Sequence, residues 1–460
     1  MRMNKIARRA SVLIVLLLLL FAGTVFFVGE YLSESGDWIL SSGSPHVYDG
    51  NKISLGVIAD STGGLLADLR DGRAYSESEL VRKSMLHWVG DRKGNISVPF
   101  VEHYATELMG YGTVNGIYTY GDTYGTLKLT LSAKVQAAVL QAMGDRAGTV
   151  AVYNYQTGEI LCAVTTPTFD PENVPDIEGD TTGAYTGVYM NRFTQSKYIP
   201  GSIFKIVTLA AALESIPGIQ DQRFTCTGTY VIQNGDITCE RAHGTMTLKE
   251  AFCNSCNCAF AQIAQQMGSE KLERYVELFG ITEPVSFDGL TTTAGNFEAV
   301  GSTAEQIAWS AIGQHKDQVN PCSFLRFVGA IAGGGEGAEP YVVSSVSVGE
   351  NNTYTATTRK TERLISKTTA DILREYMANN VENKYGADRF PIASVCAKSG
   401  TGEVGGGKSP NAMFVGFISD PQYPYAFIAA IEEGGYGSST CIPILNEALK
   451  ACIEAQAERK

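Results

Sequence analysis

Ser202 and Lys205 stand three positions apart, just after a Pro-Gly break and at the head of an apolar run, residues 206–213. The run has the length and content of a buried helix, with Ser202 in its first turn. Side chains at i and i+3 leave one face of a helix, so the hydroxyl and the amine fall within hydrogen-bond reach. A serine attacks a carbonyl only when a neighbouring base takes its proton. A lysine serves as that base when burial, a nearby cation and the positive end of a helix dipole destabilise its ammonium. S-x-x-K therefore packs a nucleophile and its base into four residues. Composition alone gives about one such match in a chain of this length, so the pair needs company.

Two further motifs supply it. Ser255-Cys256-Asn257 sits on a loop entering a helical pattern at 259–267. Lys398-Ser399-Gly400-Thr401 ends a short strand-like run, 393–397, before the glycine-rich turn at 402–407. In this order, S-x-x-K, S-x-N and K-[ST]-G are the signature of penicillin-binding proteins and serine β-lactamases. The chain resembles the class B penicillin-binding proteins over about residues 126–457. Gly148 to Val152, Pro167 to Pro171, His243-Gly244, Gly313-Gln314 with Pro321, and Phe414 to Phe417 also fall where that family has similar runs.

The resemblance implies a D,D-transpeptidase that crosslinks peptidoglycan stem peptides and is acylated by β-lactams. Ser202, deprotonated by Lys205, would attack the carbonyl between two terminal D-alanines. Backbone N–H groups of Ser202 and Thr401 would hold the oxyanion, with Gly400 allowing the strand to approach closely. Lys398 and Ser255 would relay a proton to the leaving D-alanine. Asn257 would hold the peptide amide, and Ser399 with Thr401 the terminal carboxylate. No cofactor is implied. Two alternatives are a β-lactam hydrolase or D,D-carboxypeptidase, which uses water as acceptor, and a catalytically silent sensor or scaffold. Elongation, division and sporulation roles are not distinguished by the sequence.

The elements around these motifs read as an α+β domain. Hairpins are expected at 149–164 and 414–431, helices across 248–279, 303–332 and 442–457, and thus an antiparallel sheet covered by helices beside an all-helical lobe. The catalytic cleft should lie between the two. Gly333 to Gly337 lacks the Lys-Ser/Thr of a phosphate loop and reads as a surface turn.

Ahead of that domain, Arg2, Lys5, Arg8 and Arg9 precede an uncharged stretch, 10–29, long enough to cross a bilayer as a helix. The apolar core exceeds a usual signal-peptide core, so an uncleaved anchor is expected, with residues 1–9 cytoplasmic, 10–29 in the membrane and the chain after Glu30 outside. Residues 30–125 would form a small pedestal and 126–460 the transpeptidase domain. Within the pedestal, Leu55 to Ala67 is similar to a worn R-G-x-I-x-D-R-x-G segment of the class B family, with Leu55 and Ser61 where that pattern has arginines. The segment is too short for a glycosyltransferase domain, so the glycan strands would come from a separate polytopic membrane glycosyltransferase. A net charge of −12 argues against nucleic acid as a partner.

Ten cysteines remain. Cys253, Cys256 and Cys258 cluster in sequence, but a zinc site needs a fourth ligand and the five histidines are scattered, so no metal is expected. Cys226 and Cys239 flank a hairpin-like segment with Asn-Gly-Asp at its turn. The resemblance implies a candidate disulfide between them, with free thiols as the alternative in a chain from an anaerobe.

Overall fold

The computed structural model describes residues 2–39, 48–49, 52–53, 55–70, 73–109, 124–233 and 235–458. Met1, Asn234, Arg459, Lys460 and the parts of the 30–125 segment between those ranges lie outside the described residues. Helix Arg2–Ile39 carries the apolar stretch. Its 3–35 portion is long and apolar enough to cross a membrane, and its large side chains are exposed.

The central element is a five-stranded antiparallel sheet in the order Val395–Gly402, Asn411–Ile418, Tyr425–Ile431, Gly148–Asn154, Ile160–Thr166. Both expected hairpins are present, each extended by one to three residues at its strand ends. The strands 411–418 and 425–431 are apolar at nearly every position because both faces are covered. Alternation then sorts the side chains. Val150, Val152, Phe414 and Phe427 meet Val135, Val139, Ile442 and Leu445 from helices Ala133–Met143 and Gly437–Glu458. Ala151, Tyr153, Val415 and Ile428 face the other way, into a cluster with Phe324 and Val328 of helix Pro321–Ala332 and Leu373 of helix Lys367–Asn380. Helix Lys205–Ser215 lies in that second, larger core with eight consecutive buried residues, 205–212.

Three local features differ from the sequence reading. The Lys398 motif lies inside its strand, which runs on to Gly402, because Val415 to Asn411 continue to pair with Lys398 to Gly402. The glycine run 333–337 is a turn with Gly333 exposed, as expected, but Gly335 and Gly337 are buried, and Gly335 N–H bonds the Ala330 carbonyl at 2.8 Å to close the preceding helix. Finally, the 125/126 boundary falls within strand Gly125–Leu129. That strand lies in a mixed six-stranded sheet ordered Asn351–Thr355, Val343–Val348, Gly125–Leu129, Val57–Ala59, Leu65–Asp68, Ala74–Tyr75. A hairpin from far along the chain thus completes the sheet begun by the N-terminal segment.

Where the family pattern has an arginine, Ser61 instead gives its backbone N–H to Leu131 at 2.9 Å. The preceding Asp60 closes its own turn on Thr62 and Gly64 and accepts the Ala133 N–H at the head of helix 133–143 at 3.1 Å. The N-terminal segment is bound further by Trp88, whose buried indole donates to the Ala163 carbonyl at 2.7 Å, and by a bidentate Arg82–Asp170 pair at 2.7 Å. These contacts join helix Glu79–Val89 to the central sheet and the loop beyond it.

Candidate active site

Ser202 lies in a 3-10 turn, Gly201–Phe204, that leads into helix Lys205–Ser215. The turn is placed by backbone. Gly201 N–H donates to the Gly313 carbonyl at 2.8 Å, and Gly201 itself has φ +54°. A Cβ at Gly201 would come within 2.1 Å of the Thr401 carbonyl oxygen, and one at Gly400 within 2.6 Å of the Pro200 oxygen. Only glycines allow the third motif's strand to run this close to the nucleophile's turn. The backbones of Ser202 and Thr401, expected to hold the oxyanion, are neighbours for that reason.

Lys205 is fully buried, with Nζ 2.6 Å from Ser202 Oγ, 2.8 Å from Asn257 Oδ1 and 3.4 Å from Ser255 Oγ. Lys398, also fully buried, reaches Ser255 Oγ at 3.0 Å and the Ser399 carbonyl at 2.9 Å. The Ser255 hydroxyl therefore bridges two lysines. Burial pushes the Lys205 ammonium down to about 7, which leaves a sizeable amine fraction at neutral pH. Burial, then the charges of Lys205 and Lys384, hold Lys398 well below its ordinary value. Ser255 has φ +55°, a left-handed conformation unusual for a residue with a side chain. That backbone aims its hydroxyl between the amines while Cys256 caps helix Asn257–Met267.

All eight residues singled out from the sequence are thus brought to one place. Ser202, Ser255, Asn257, Ser399, Gly400 and Thr401 border an open cleft of ≈ 810 Å³ between the sheet edge and the helical lobe. Lys205 and Lys398 stand beneath its floor.

Sequence reasoning missed Tyr385, which ends a π-turn, Val381–Tyr385, after helix 367–380. Its hydroxyl accepts the Ser399 N–H at 2.8 Å and lies 3.0 Å from Ser399 Oγ. Gln314, noted only as part of a family-like run, donates to the Thr401 carbonyl at 3.2 Å. Tyr385 fixes the third motif from behind, and Gln314 from within the cleft. Tyr385→Phe should leave Ser399 N–H without its partner and lower the second-order rate of penicillin acylation about tenfold, with little change in folded content by circular dichroism.

The cysteines depart from expectation. Cys226 and Cys239 are free thiols, and Cys239 Sγ lies 3.7 Å from Cys256 Sγ. Cys226 Sγ instead lies 3.5 Å from His243 Nδ1. His243 joins a different set of cysteines from the 253–258 cluster, Cys226, Cys239 and Cys256, with all four ligand atoms within 4.8 Å of one another. Cys253 and Cys258 take no part in this group.

A buried lysine poised on a cleft serine, a second buried lysine and a shared hydroxyl define a serine acyl-transfer centre on a sheet-and-helix scaffold. Comparison with known proteins agrees. The penicillin binding protein transpeptidase domain matches residues 148–450. The chain is 26% identical to the peptidoglycan D,D-transpeptidase PbpA of Mycobacterium tuberculosis over 367 residues, 72% of this chain and 73% of that protein. It is 31% identical to stage V sporulation protein D of Bacillus subtilis over 47% of this chain and 34% of that one. Among solved structures, the D,D-transpeptidase domain from Eggerthella lenta superposes with TM-score 0.74 at 27% identity, covering 87% of this chain and 98% of that one. The ceftriaxone acyl-enzyme of M. tuberculosis penicillin-binding protein A gives TM-score 0.75 at 23% identity, with the same coverage. The chain belongs to the penicillin-binding protein transpeptidase family, in its class B branch.

Proposed function

We propose that this protein is a serine D,D-transpeptidase of peptidoglycan synthesis, with Ser202 as nucleophile, and that β-lactams acylate the same serine. The observation that carries the reading is the fully buried Lys205 amine, 2.6 Å from Ser202 Oγ. In its neutral form Lys205 accepts the Ser202 proton as Oγ attacks the carbonyl carbon of the penultimate D-alanine. The tetrahedral oxyanion takes the N–H groups of Ser202 and Thr401. Collapse expels D-alanine, whose nitrogen takes the proton that Ser202 gave to Lys205, relayed through Ser255 and Lys398. An amine from a second stem peptide then attacks the ester, forms the crosslink and frees Ser202. Asn257, held between Lys205 and the Thr238 carbonyl, presents its amide to the donor peptide. Ser399 and Thr401 take the terminal carboxylate.

Relatives named as peptidoglycan D,D-transpeptidases and relatives trapped as β-lactam acyl-enzymes support this reading. A hydrolase needs a base to bring water onto the ester. Among the described residues no carboxylate is hydrogen-bonded to Ser202, Lys205, Ser255 or Lys398, which favours a long-lived acyl-enzyme. We place residues 1–9 in the cytoplasm, 10–29 across the membrane, and 30–125 together with the 343–355 hairpin as the pedestal under a catalytic domain outside the membrane. A polytopic glycosyltransferase would supply the glycan strands at that surface.

The test is intact-protein mass after exposure to penicillin, followed over hours and paired with a stem-peptide assay containing an amine acceptor. One stable adduct per chain and an amide-linked product are expected. Rapid loss of the adduct with drug turnover would replace this reading with a hydrolase, and release of D-alanine without crosslinking would replace it with a carboxypeptidase.

A further inference from the structure

Cys226 ends strand Arg223–Cys226, Cys239 follows strand Gly235–Thr238, His243 precedes strand Gly244–Thr247, and Cys256 is the middle residue of the second motif. Chain folding brings them together. Cys226 pairs with Gly244 across a two-stranded ladder, His243 N–H donates to the Cys226 carbonyl at 3.1 Å, and Cys239 N–H to Gly228 at 2.9 Å. The four side chains then converge on one point. We propose that Cys226, Cys239, His243 and Cys256 form a tetrahedral Cys₃His site for a zinc ion, which holds the second catalytic motif in place.

The separations support a metal better than a disulfide. Bond lengths of ~2.3 Å to sulfur and ~2.05 Å to nitrogen with tetrahedral angles put ligand sulfurs ~3.8 Å apart and sulfur ~3.6 Å from nitrogen. Cys239 and Cys256 sulfurs are 3.7 Å apart, and Cys226 Sγ is 3.5 Å from His243 Nδ1. Three soft thiolates and an imidazole suit zinc over magnesium or calcium. Four protein ligands close the coordination sphere, so the ion is structural. Binding would replace three thiol protons by one Zn²⁺. Backbone N–H groups already point at two of the sulfurs, Cys258 N–H at Cys239 and Ala259 N–H at Cys256, both at 3.4 Å.

The site has leverage on the chemistry. Cys256 lies between Ser255 and Asn257, and Thr238, next to Cys239, accepts the Asn257 amide at 2.8 Å. The ribbon 229–238 is a two-stranded hairpin, a unit with little stability alone. A zinc ion would pin its end to the helix that carries the motif, and with it the left-handed Ser255.

The experiment is metal analysis of the untagged full-length protein in detergent, after dialysis against a weak chelator. One zinc per chain is expected. Cobalt substitution should give thiolate charge-transfer and strong tetrahedral visible bands, and Cys226→Ser or His243→Ala should each abolish both signals while Cys322→Ser keeps them. Should those variants misfold, titrating unaltered protein with a mercurial should release one zinc as thiols are consumed. Metal-free protein with a 2 Da mass loss for a disulfide, metal-free protein with all thiols alkylated, or zinc retained in Cys226→Ser and His243→Ala would each overturn the site. The link to catalysis rests on the roles given to Ser255 and Asn257. It is read separately, as an approximately tenfold slower penicillin acylation after zinc removal that zinc restores. Unchanged acylation in stripped protein would sink that link while leaving the metal count standing.

Discussion

Ser202→Ala is expected to yield a folded protein that forms no covalent adduct with penicillin and loses peptide-bond turnover by a factor on the order of 10⁴ or more. Folding should survive because Ser202 is half-exposed at the cleft and its hydroxyl bonds only the Lys205 amine among the described contacts. Removing it leaves Lys205 still bonded to Asn257. Chemistry should not survive, because the other hydroxyl in reach, Ser255, is held between two lysines and is the proton carrier in the mechanism. Ser255→Ala separates the two roles. It keeps the nucleophile and its base, so an adduct should still form, but acylation should slow by about 10²-fold as proton delivery to the leaving group is lost. Intact mass followed by peptide mapping checks both. An adduct in Ser202→Ala that maps to the Ser255 peptide would invert the assignment.

The motifs were legible because each packs its chemistry into three or four consecutive residues. A nucleophile and base one turn apart, or a lysine with a glycine that lets backbone pass, can be seen without knowing the fold. The central sheet was legible for a related reason, since four of its five strands come as two local hairpins of largely apolar residues. What was hidden depends on distant parts of the chain meeting. The 343–355 hairpin pairs with strand 125–129, more than 210 positions earlier, a pairing that no local period encodes. Tyr385 looks like any core aromatic until Ser399 is seen against it. His243 was read as part of a family-like dipeptide, and Cys253 and Cys258 drew attention through proximity in sequence. In space it is the loop and strand ends at 226, 239 and 243 that reach Cys256. The glycine run 333–337 is a turn with Gly333 exposed, as its composition suggests, but its glycines also permit tight packing at Gly335 and Gly337, which composition does not show.

Lys205→Met and Lys205→Arg together test whether this lysine is a base or only a charge. If it is the base, both should cut penicillin acylation by about 10²–10⁴-fold, because a guanidinium does not deprotonate near neutrality and methionine accepts no proton. Partial activity in Lys205→Arg would mean that positive charge suffices. In the unaltered protein acylation should rise with pH through a step near 7 as Lys205 becomes an amine. Since Lys398 is coupled to it through Ser255, the measured step belongs to the pair. Stability should respond with a definite sign. The folded state binds the Lys205 proton more weakly than the unfolded chain, so the fold loses stability as pH falls from the ordinary lysine value of 10.5 towards 7, and this contribution levels off below 7. Lys205→Met removes that cost, along with the need to bury an ammonium. It should raise unfolding free energy near neutral pH by about 1–4 kcal/mol and flatten its pH dependence, measured by urea denaturation. A variant both inactive and more stable is what a lysine held deprotonated for catalysis predicts. A variant inactive and destabilised would show that Lys205 holds the fold together as an ammonium, through Asn257 and Ser202, and that the proton acceptor lies elsewhere.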